Sequence, residues 1–288
     1  MYPIELRNVS FVYGAGEPYE IRALDNINLQ LGGSMMTGFM GHTGSGKSTL
    51  VQLLNGILKP TSGQVLLDGQ DSWANPKKIR DVRFKVGVVM QYPEYQLFDE
   101  TVRADIAFGP KNMGLSKDEI DERVAEAVRL SGLDEGLLDK SPFELSGGQK
   151  RRAALAGVMA MRPEILVLDE PAAGLDPGGR REILGRIREY QRSSGTSVII
   201  VSHSMEDMAR YSDDVIVLSS AKVLRQGSRE EVFAHVDELA KTGLDAPQIT
   251  NLMCLLRERG VDVPQNIYTV EEATAALKQL LLTGGDTQ

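Results

Sequence analysis

Gly41-His42-Thr43-Gly44-Ser45-Gly46-Lys47-Ser48 follows the apolar run Met35 to Met40 and opens a segment of mostly helix-forming residues that carries Leu50, Val51, Leu53 and Leu54. An apolar strand, a glycine-rich turn ending in Gly-Lys-Ser and a helix form a P-loop in the context the motif requires. In such a loop the backbone N–H groups wrap the phosphates of a nucleotide. Lys47 then contacts β- and γ-oxygens, and the Ser48 hydroxyl ligates Mg2+. The expected binding stretch is Gly41, His42, Thr43, Gly44, Ser45, Gly46, Lys47, Ser48 and Thr49. His42 occupies a variable position of the motif and carries no catalytic expectation.

Further along, Ile165-Leu166-Val167-Leu168-Asp169-Glu170 is a buried strand ending in two carboxylates. Strands often end in acidic turns, so the pair gains meaning only from the P-loop before it. With a nucleotide in place, Asp169 holds Mg2+ through its water shell, and Glu170 polarises a water for attack on the γ-phosphate. His203 follows the apolar strand Ser197 to Val201, at the same kind of strand end. It is either a structural histidine or a γ-phosphate contact, and the neighbouring strand ends favour the second. Gln91 closes the apolar run 86–90, where its amide can meet Mg2+ or the attacking water. Tyr13 lies one pleat from Phe11, so the two share a strand face. One of them stacks on adenine, or both belong to the core.

Leu145-Ser146-Gly147-Gly148-Gln149 stands about a hundred residues after the P-loop and precedes the helix-forming run Lys150 to Met159. Free N–H groups and the helix dipole make such a glycine-rich helix start a second phosphate site, carried by Ser146, Gly147, Gly148 and Gln149. Either one nucleotide touches both sites, or two copies share two nucleotides.

The chain has 288 residues, 42% hydrophobic and 25% charged, with a net charge of −8. These values fit an ordinary globular protein and argue against bulk attraction to nucleic acid or anionic lipid. Aromatic content of 6% argues against base-stacking surfaces. The lone Cys254 forms no internal disulfide, and its apolar helical pattern suggests a small core residue. No apolar run reaches the roughly 18 residues of a membrane span, and Met1 to Glu5 lacks the basic start and apolar stretch of a signal peptide.

Strands are expected at 4–13, 21–31, 65–67, 86–90, 165–168, 198–201 and 215–218, with residues 91 to about 160 mostly helical. The later strands are continuous apolar runs, as in a parallel sheet covered on both faces. Ser116 with Glu119, Ser228 with Glu231, and Thr269 with Glu272 are capping boxes that open helices. Residues 227–288 therefore look like a small helical appendage suited to packing or association.

Tyr13, the P-loop, Gln91, Leu145 to Gln149, Asp169-Glu170, Gly174-Leu175-Asp176 and His203 together resemble the motif series of an ABC-type ATPase, in that family's order. The resemblance implies an α/β, RecA-like P-loop NTPase fold, an ABC nucleotide-binding domain over 1–226. Its α/β core would span 1–90 and 160–226, with an inserted helical subdomain at 91–159 and a helical C-terminal extension at 227–288. It implies ATP and Mg2+ as cofactors and a head-to-tail dimer in which the Ser146–Gln149 run closes over ATP held by the partner's P-loop. It also puts Asp176 at that dimer seam, beside the nucleotide. Gln91-Tyr92-Pro93-Glu94-Tyr95-Gln96-Leu97-Phe98, Phe108 to Asn112, Ser141 to Glu144 and Ser202 to Asp207 are similar to energy-coupling factor (ECF) transporter ATPases, nearest the A-prime subunit. The implied partners are a paralogous ATPase, a transmembrane T subunit and a substrate-binding S subunit, at the cytoplasmic face of the cell membrane. The implied task is uptake of vitamins or transition-metal ions, and the extension would help join the two ATPases. Ala172 stands where threonine is usual and Gly178 where lysine is common; neither change removes a catalytic group.

Glu94, Asp99 and Glu100 flank the apolar Leu97 and Phe98, which suggests either a groove for an arginine-bearing partner helix or a solvated acidic turn. Other functions fit less well. An ATPase acting on DNA or ribosomes would bring a long coiled coil or a second cassette. An importer ATPase serving a periplasmic-type binding protein is set apart by the 91–98 sequence.

Overall fold

The computed structural model describes residues 3–244, 247–264 and 266–283. Residues 1–2 of the expected first domain, and 245–246, 265 and 284–288 of the expected extension, lie outside the described residues.

The strands are β1 (Ile4–Tyr13), β2 (Ile21–Leu31), β3 (Met36–Met40), β4 (Ser62–Leu67), β5 (Gln70–Asp71), β6 (Val86–Val89), β7 (Ile165–Asp169), β8 (Ser197–Val201), β9 (Asp214–Ser219) and β10 (Lys222–Ser228). The described strands form two sheets. One has the order β10-β9-β3-β8-β7-β6, parallel throughout except for the β9–β10 hairpin. The other is antiparallel, ordered β2-β1-β4-β5. That second sheet is where the sequence reading is refined. The expected core at 1–90 divides between two sheets, because β1, β2 and β4 pair with one another and leave β3 and β6 to the parallel one. At the other end, β10 carries the parallel sheet to Ser228.

The parallel strands are apolar throughout because both faces are covered, and their side chains divide by pleat. Ile165, Val167, Ile199, Val201, Ile216 and Leu218 pack on the side of the antiparallel sheet, together with Leu50 and Leu53 of helix α1 (Lys47–Leu54). Leu166, Leu168, Val198, Ile200, Val215 and Val217 pack on the opposite side. Burying each such side chain contributes roughly 1.5–3 kcal/mol, so this alternation holds the strand ends in register.

Helices α2 (Ile79–Lys85), α3 (Val102–Asn112), α4 (Lys117–Ser131) and α5 (Gly147–Met159) follow. The last three supply the helical layer expected at 91–159, and α4 opens on the Ser116–Glu119 capping box. Helices α6 (Pro177–Ser194) and α7 (Met205–Tyr211) alternate with the later strands. The extension adds α8 (Arg229–Phe233), α9 (Val236–Ala240), α10 (Gln248–Glu258) and α11 (Val270–Thr283). Met253, Val263, Ile267 and Ala273 form its own small core. Val232, Phe233, Leu239 and Leu244 instead join the main core beside Met205 and Met208. Cys254 is a half-buried free thiol that accepts a hydrogen bond from Arg257.

Candidate functional site

The turn between β3 and α1 can be made only by glycine at two points. Gly41 has φ +154° and Gly46 has φ +106°. A Cβ at Gly41 would lie 2.3 Å from the Leu218 carbonyl oxygen, and one at Gly46 would lie 2.4 Å from that of Ala23. Within this turn Lys47 Nζ donates to the carbonyls of Gly41 and His42 at 2.6 and 3.0 Å. The Ser45 hydroxyl is buried beneath the loop without a hydrogen-bond partner.

Parallel pairing brings the remaining strand-end residues to the same edge, outside the carboxyl ends of the strands, where open α/β sheets bind ligands. Asp169 is in register with Val201, and Phe39 with Val201 on the other side. A cavity of about 1290 Å³ results, lined by Tyr13, Lys47, Gln91, Asp169, Glu170 and His203. Gly41, His42, Thr43, Gly44, Gly46, Ser48 and Thr49 also face it, whereas Ser45 does not.

Asp169 and Glu170 are 6% and 8% exposed. Burial pushes the Asp169 carboxyl above its ordinary range; the Ser48 hydroxyl hydrogen bond opposes this, and the Glu170 charge adds to it. Burial likewise lowers the Lys47 ammonium, against the attraction of Glu170 and Asp169. Glu170 turns out of β7 with φ +52°, a left-handed conformation that costs a non-glycine residue about 1–3 kcal/mol. The turn aims its carboxylate at the loop after β8. There His203 Nδ1 donates to Glu170 Oε1 at 2.9 Å, since an ionised carboxylate only accepts. The histidine ring itself is exposed, with its other nitrogen free for a ligand.

Tyr13 is the aromatic of the pair that reaches the cavity. Its hydroxyl lies 3.2 Å from that of Thr49, while Phe11 is buried edge-on against its ring at 4.8 Å.

Two of the sequence-derived features lie elsewhere. Ser146, Gly147, Gly148 and Gln149 start α5 but do not line this cavity. Ser146 and Gln149 cap each other: Ser146 N–H donates to Gln149 Oε1 at 2.9 Å, and Gln149 N–H to Ser146 Oγ at 3.4 Å. A Cβ on Gly147 or Gly148 would meet no atom within 4 Å. Asp176 is the N-cap of α6 and accepts from the N–H groups of Gly178 and Gly179, both at 3.2 Å. Two arginines tie these parts to the segments that follow Glu170 and His203. Arg151 of α5 donates to the Ala173 carbonyl at 2.6 Å, and Arg180 of α6 pairs with Asp207 of α7 at 3.0 Å.

The acidic groove differs from expectation. A groove of about 340 Å³ exists, with Leu97, Phe98 and Phe108 along it and the two phenylalanines edge-on at 4.8 Å. None of Glu94, Asp99 or Glu100 lines it. The 3-10 turn Pro93–Gln96 carries Glu94 inward, where its Oε2 is buried without a hydrogen bond. Sequence reasoning also missed Glu206, Gln248 and Asn251, which line the large cavity. Glu206 could have been found from its place three residues after His203; nothing local marks the other two.

The ABC transporter family model matches residues 24–173. The "energy-coupling factor transporter ATP-binding protein EcfA2" of Caldanaerobacter subterraneus subsp. tengcongensis is 53% identical over 271 residues, covering 94% of this chain and 95% of the relative. That of Clostridium acetobutylicum is 49% identical, covering 97% and 98%. Among solved structures, cbiO1 of Clostridium perfringens, described as part of the ABC transporter complex cbiONQ, superposes with a TM-score of 0.74 at 40% identity. It covers 88% of this chain and 98% of its own. A dimeric ATP-binding cassette in a post-hydrolysis state, bound to ADP and Pi, gives 0.71 at 28% identity over 78% of this chain and 98% of its own. The chain belongs to the ABC transporter family and, within it, to the ATP-binding ATPase subunits of energy-coupling factor transporters.

Proposed function

We propose that this chain holds one ATP in the strand-end cavity and supplies the Ser146–Gln149 helix start to a second ATP held by a paralogous ATPase. The observation that carries this reading is the open space over Gly147 and Gly148. Their φ values are not positive, and no atom of the chain approaches them, so nothing internal requires glycine at either position. Glycines that allow close backbone approach at a helix start suit a phosphate brought by another molecule.

On this reading Tyr13 stacks on adenine, Lys47 leaves the loop carbonyls for the β- and γ-phosphates, and the P-loop N–H groups surround them. Glu170 takes the proton of the attacking water. His203, held by Glu170 at its Nδ1, presents Nε2 to the γ-phosphate, and Asp176 lies at the seam between the subunits. The Ser48 hydroxyl, the Gln91 amide oxygen and the Asp169 carboxylate are hard oxygen donors of the kind Mg2+ takes, and Asp169, carrying a charge that burial disfavours, gains from a cation. Bound there, Mg2+ would neutralise charge on the phosphates.

The Leu97–Phe98–Phe108 groove receives a helix of a transmembrane T subunit, which works with a substrate-binding S subunit in uptake of vitamins or transition-metal ions. Among the described residues no helix is long and apolar enough to cross a membrane, so attachment at the cytoplasmic face runs through these partners. Association of the two ATPases is the role of the extension from residue 227. The test is co-purification in detergent followed by phosphate-release assays. Recovery with a membrane protein and a second ATPase, and hydrolysis that needs both ATPases, supports the reading. Full turnover by the isolated chain at concentrations too low for dimers refutes it.

A further inference from the structure

The cavity that gathers the strand-end residues has part of its wall from the C-terminal extension, through Gly243, Leu244, Gln248 and Asn251. Gln248 and Asn251 are three residues apart on α10 and share a face. The neighbouring face, with Thr250 and Met253, is buried in the extension's own core, where Thr250 Oγ1 donates to the Ile267 carbonyl at 2.8 Å. Gln248 and Asn251 are both exposed residues of the cavity wall.

The placement of α10 is set by the helix that follows His203. Leu239 and Leu244 are buried in one apolar cluster with Met205 and Met208 of α7. The Gln248 N–H donates to Glu206 Oε1 at 3.4 Å, and Arg210 of α7 pairs with Glu271 of α11. His203 in turn is bonded to Glu170. Gln248 therefore lies beside Glu206, three residues after His203, and with Asn251 lines the same cavity as Glu170 and His203. Asp169, Glu170 and Glu206 put three carboxylates on the cavity wall, so added amide donors would supplement Lys47, the P-loop N–H groups and His203 toward a phosphate there.

We propose that the C-terminal extension completes the terminal-phosphate end of this chain's own nucleotide site, with the amide groups of Gln248 and Asn251 donating to the γ-phosphate of ATP. This rests on the assignment of the cavity to a nucleotide. It makes the extension part of the ATP site in cis, in addition to any role between subunits. ATP is then distinguished from ADP partly by residues outside the α/β core.

The experiment measures equilibrium binding of Mg–ATP and Mg–ADP to the isolated full-length chain, comparing Gln248→Ala/Asn251→Ala with the parent. Both side chains are exposed, so a thermal melt should show the fold unchanged. A hydrogen bond to a charged group changes a dissociation constant about 10- to 150-fold, and less where solvent reaches the donor, as here. The double variant should weaken ATP by about fivefold or more and ADP by less than twofold. Unchanged affinity for both nucleotides overturns the proposal, and so does equal weakening of both, which would put the contact away from the γ-phosphate. Lys47→Ala is the control for the underlying assignment: if it binds ATP like the parent, the cavity is not the nucleotide site, and the failure lies there rather than with the extension.

Discussion

Replacing Gly148 by alanine tests separately the two half-sites proposed for the chain. The new Cβ would meet no atom within 4 Å, so the fold bears no steric cost. Gly148 is the second residue of α5, and alanine is favoured over glycine inside a helix by about 0.5–1 kcal/mol, less in the first turn. The melting temperature should therefore hold or rise by about 1–3 °C. ATP affinity of the isolated chain should not change, because Gly148 does not line the strand-end cavity. The complex with a paralogous ATPase should behave differently. A methyl group at this helix start keeps a phosphate from the N–H groups, and a hydrogen bond to a charged group is worth about 1.5–3 kcal/mol. Loss of one such contact in the transition state slows hydrolysis about 10- to 150-fold. Phosphate release by the assembled complex, measured beside calorimetric melting and ATP titration of the isolated variant, checks all three points. Turnover within twofold of the parent would refute the assignment of this helix start to a partner's nucleotide. A fall in melting temperature would refute the claim that glycine is not needed internally.

Four further outcomes follow from the same geometry. Glu170→Gln should bind ATP normally yet hydrolyse it about 10²–10⁴ times more slowly, the range of a general base; near-parental phosphate release would remove Glu170 from that role. Asp169 has a raised pKa in the fold, so its contribution to stability is present below the ordinary carboxylate range and is lost as pH rises through the folded value. Asp169→Asn should accordingly melt higher than the parent at pH 7 in the absence of nucleotide, with the difference shrinking toward pH 4, and should lose Mg2+-dependent tightening of ATP. Phe98→Ala, at an exposed groove residue, should cut recovery of the membrane partner at least tenfold while ATP titration of the isolated chain stays the same. Arg151→Ala leaves the Ala173 carbonyl without its donor; it should cost about 1.5–3 kcal/mol in urea unfolding and lower turnover of the assembled complex, whereas unchanged turnover would make the contact purely structural.

What the sequence made legible was local. Ile4–Tyr13 and Ile21–Leu31 could be bounded because alternation ends at glycine- and proline-rich loops, and the three capping boxes marked helix starts by a hydroxyl and a carboxylate three residues apart. The strand-end residues were legible because parallel pairing brings every strand terminus to one edge, so Gln91, Asp169, Glu170 and His203 had to be neighbours if their runs were strands. Non-local pairing was not legible. Nothing in β1, β2 or β4 says that they form a sheet apart from β3. Glu94 was misplaced because a single 3-10 turn reverses which side chains face inward. Gln248 and Asn251 reach the cavity only through the packing of Leu239 and Leu244 on α7, across a connection with no periodic signal. Asp176 stands before Pro177 and two glycines, a helix-start pattern, and the structure shows it as that N-cap.

The two proposed half-sites are separate in space but not independent in construction. The helix that begins at Ser146 holds the Ala173 carbonyl through Arg151, three residues after Glu170. The helix capped by Asp176 holds Asp207 through Arg180, four residues after His203. Asp207 is buried, and its carboxyl is pushed upward by that burial against the pull of Arg180, so this ion pair replaces solvation that the fold has removed. The first contact joins α5 to the turn that follows Glu170, and the second joins α6 to α7, the helix that follows His203. On the proposed reading, a partner that seats its ATP on Ser146 presses on a helix that packs on α3 and α4 and also reaches the backbone beyond Glu170 through Arg151. The same short segment carries Glu170, whose carboxylate accepts from His203 Nδ1 at 2.9 Å. On the proposed reading, these two contacts are the physical links between a partner's nucleotide on Ser146 and this chain's own Glu170–His203 pair.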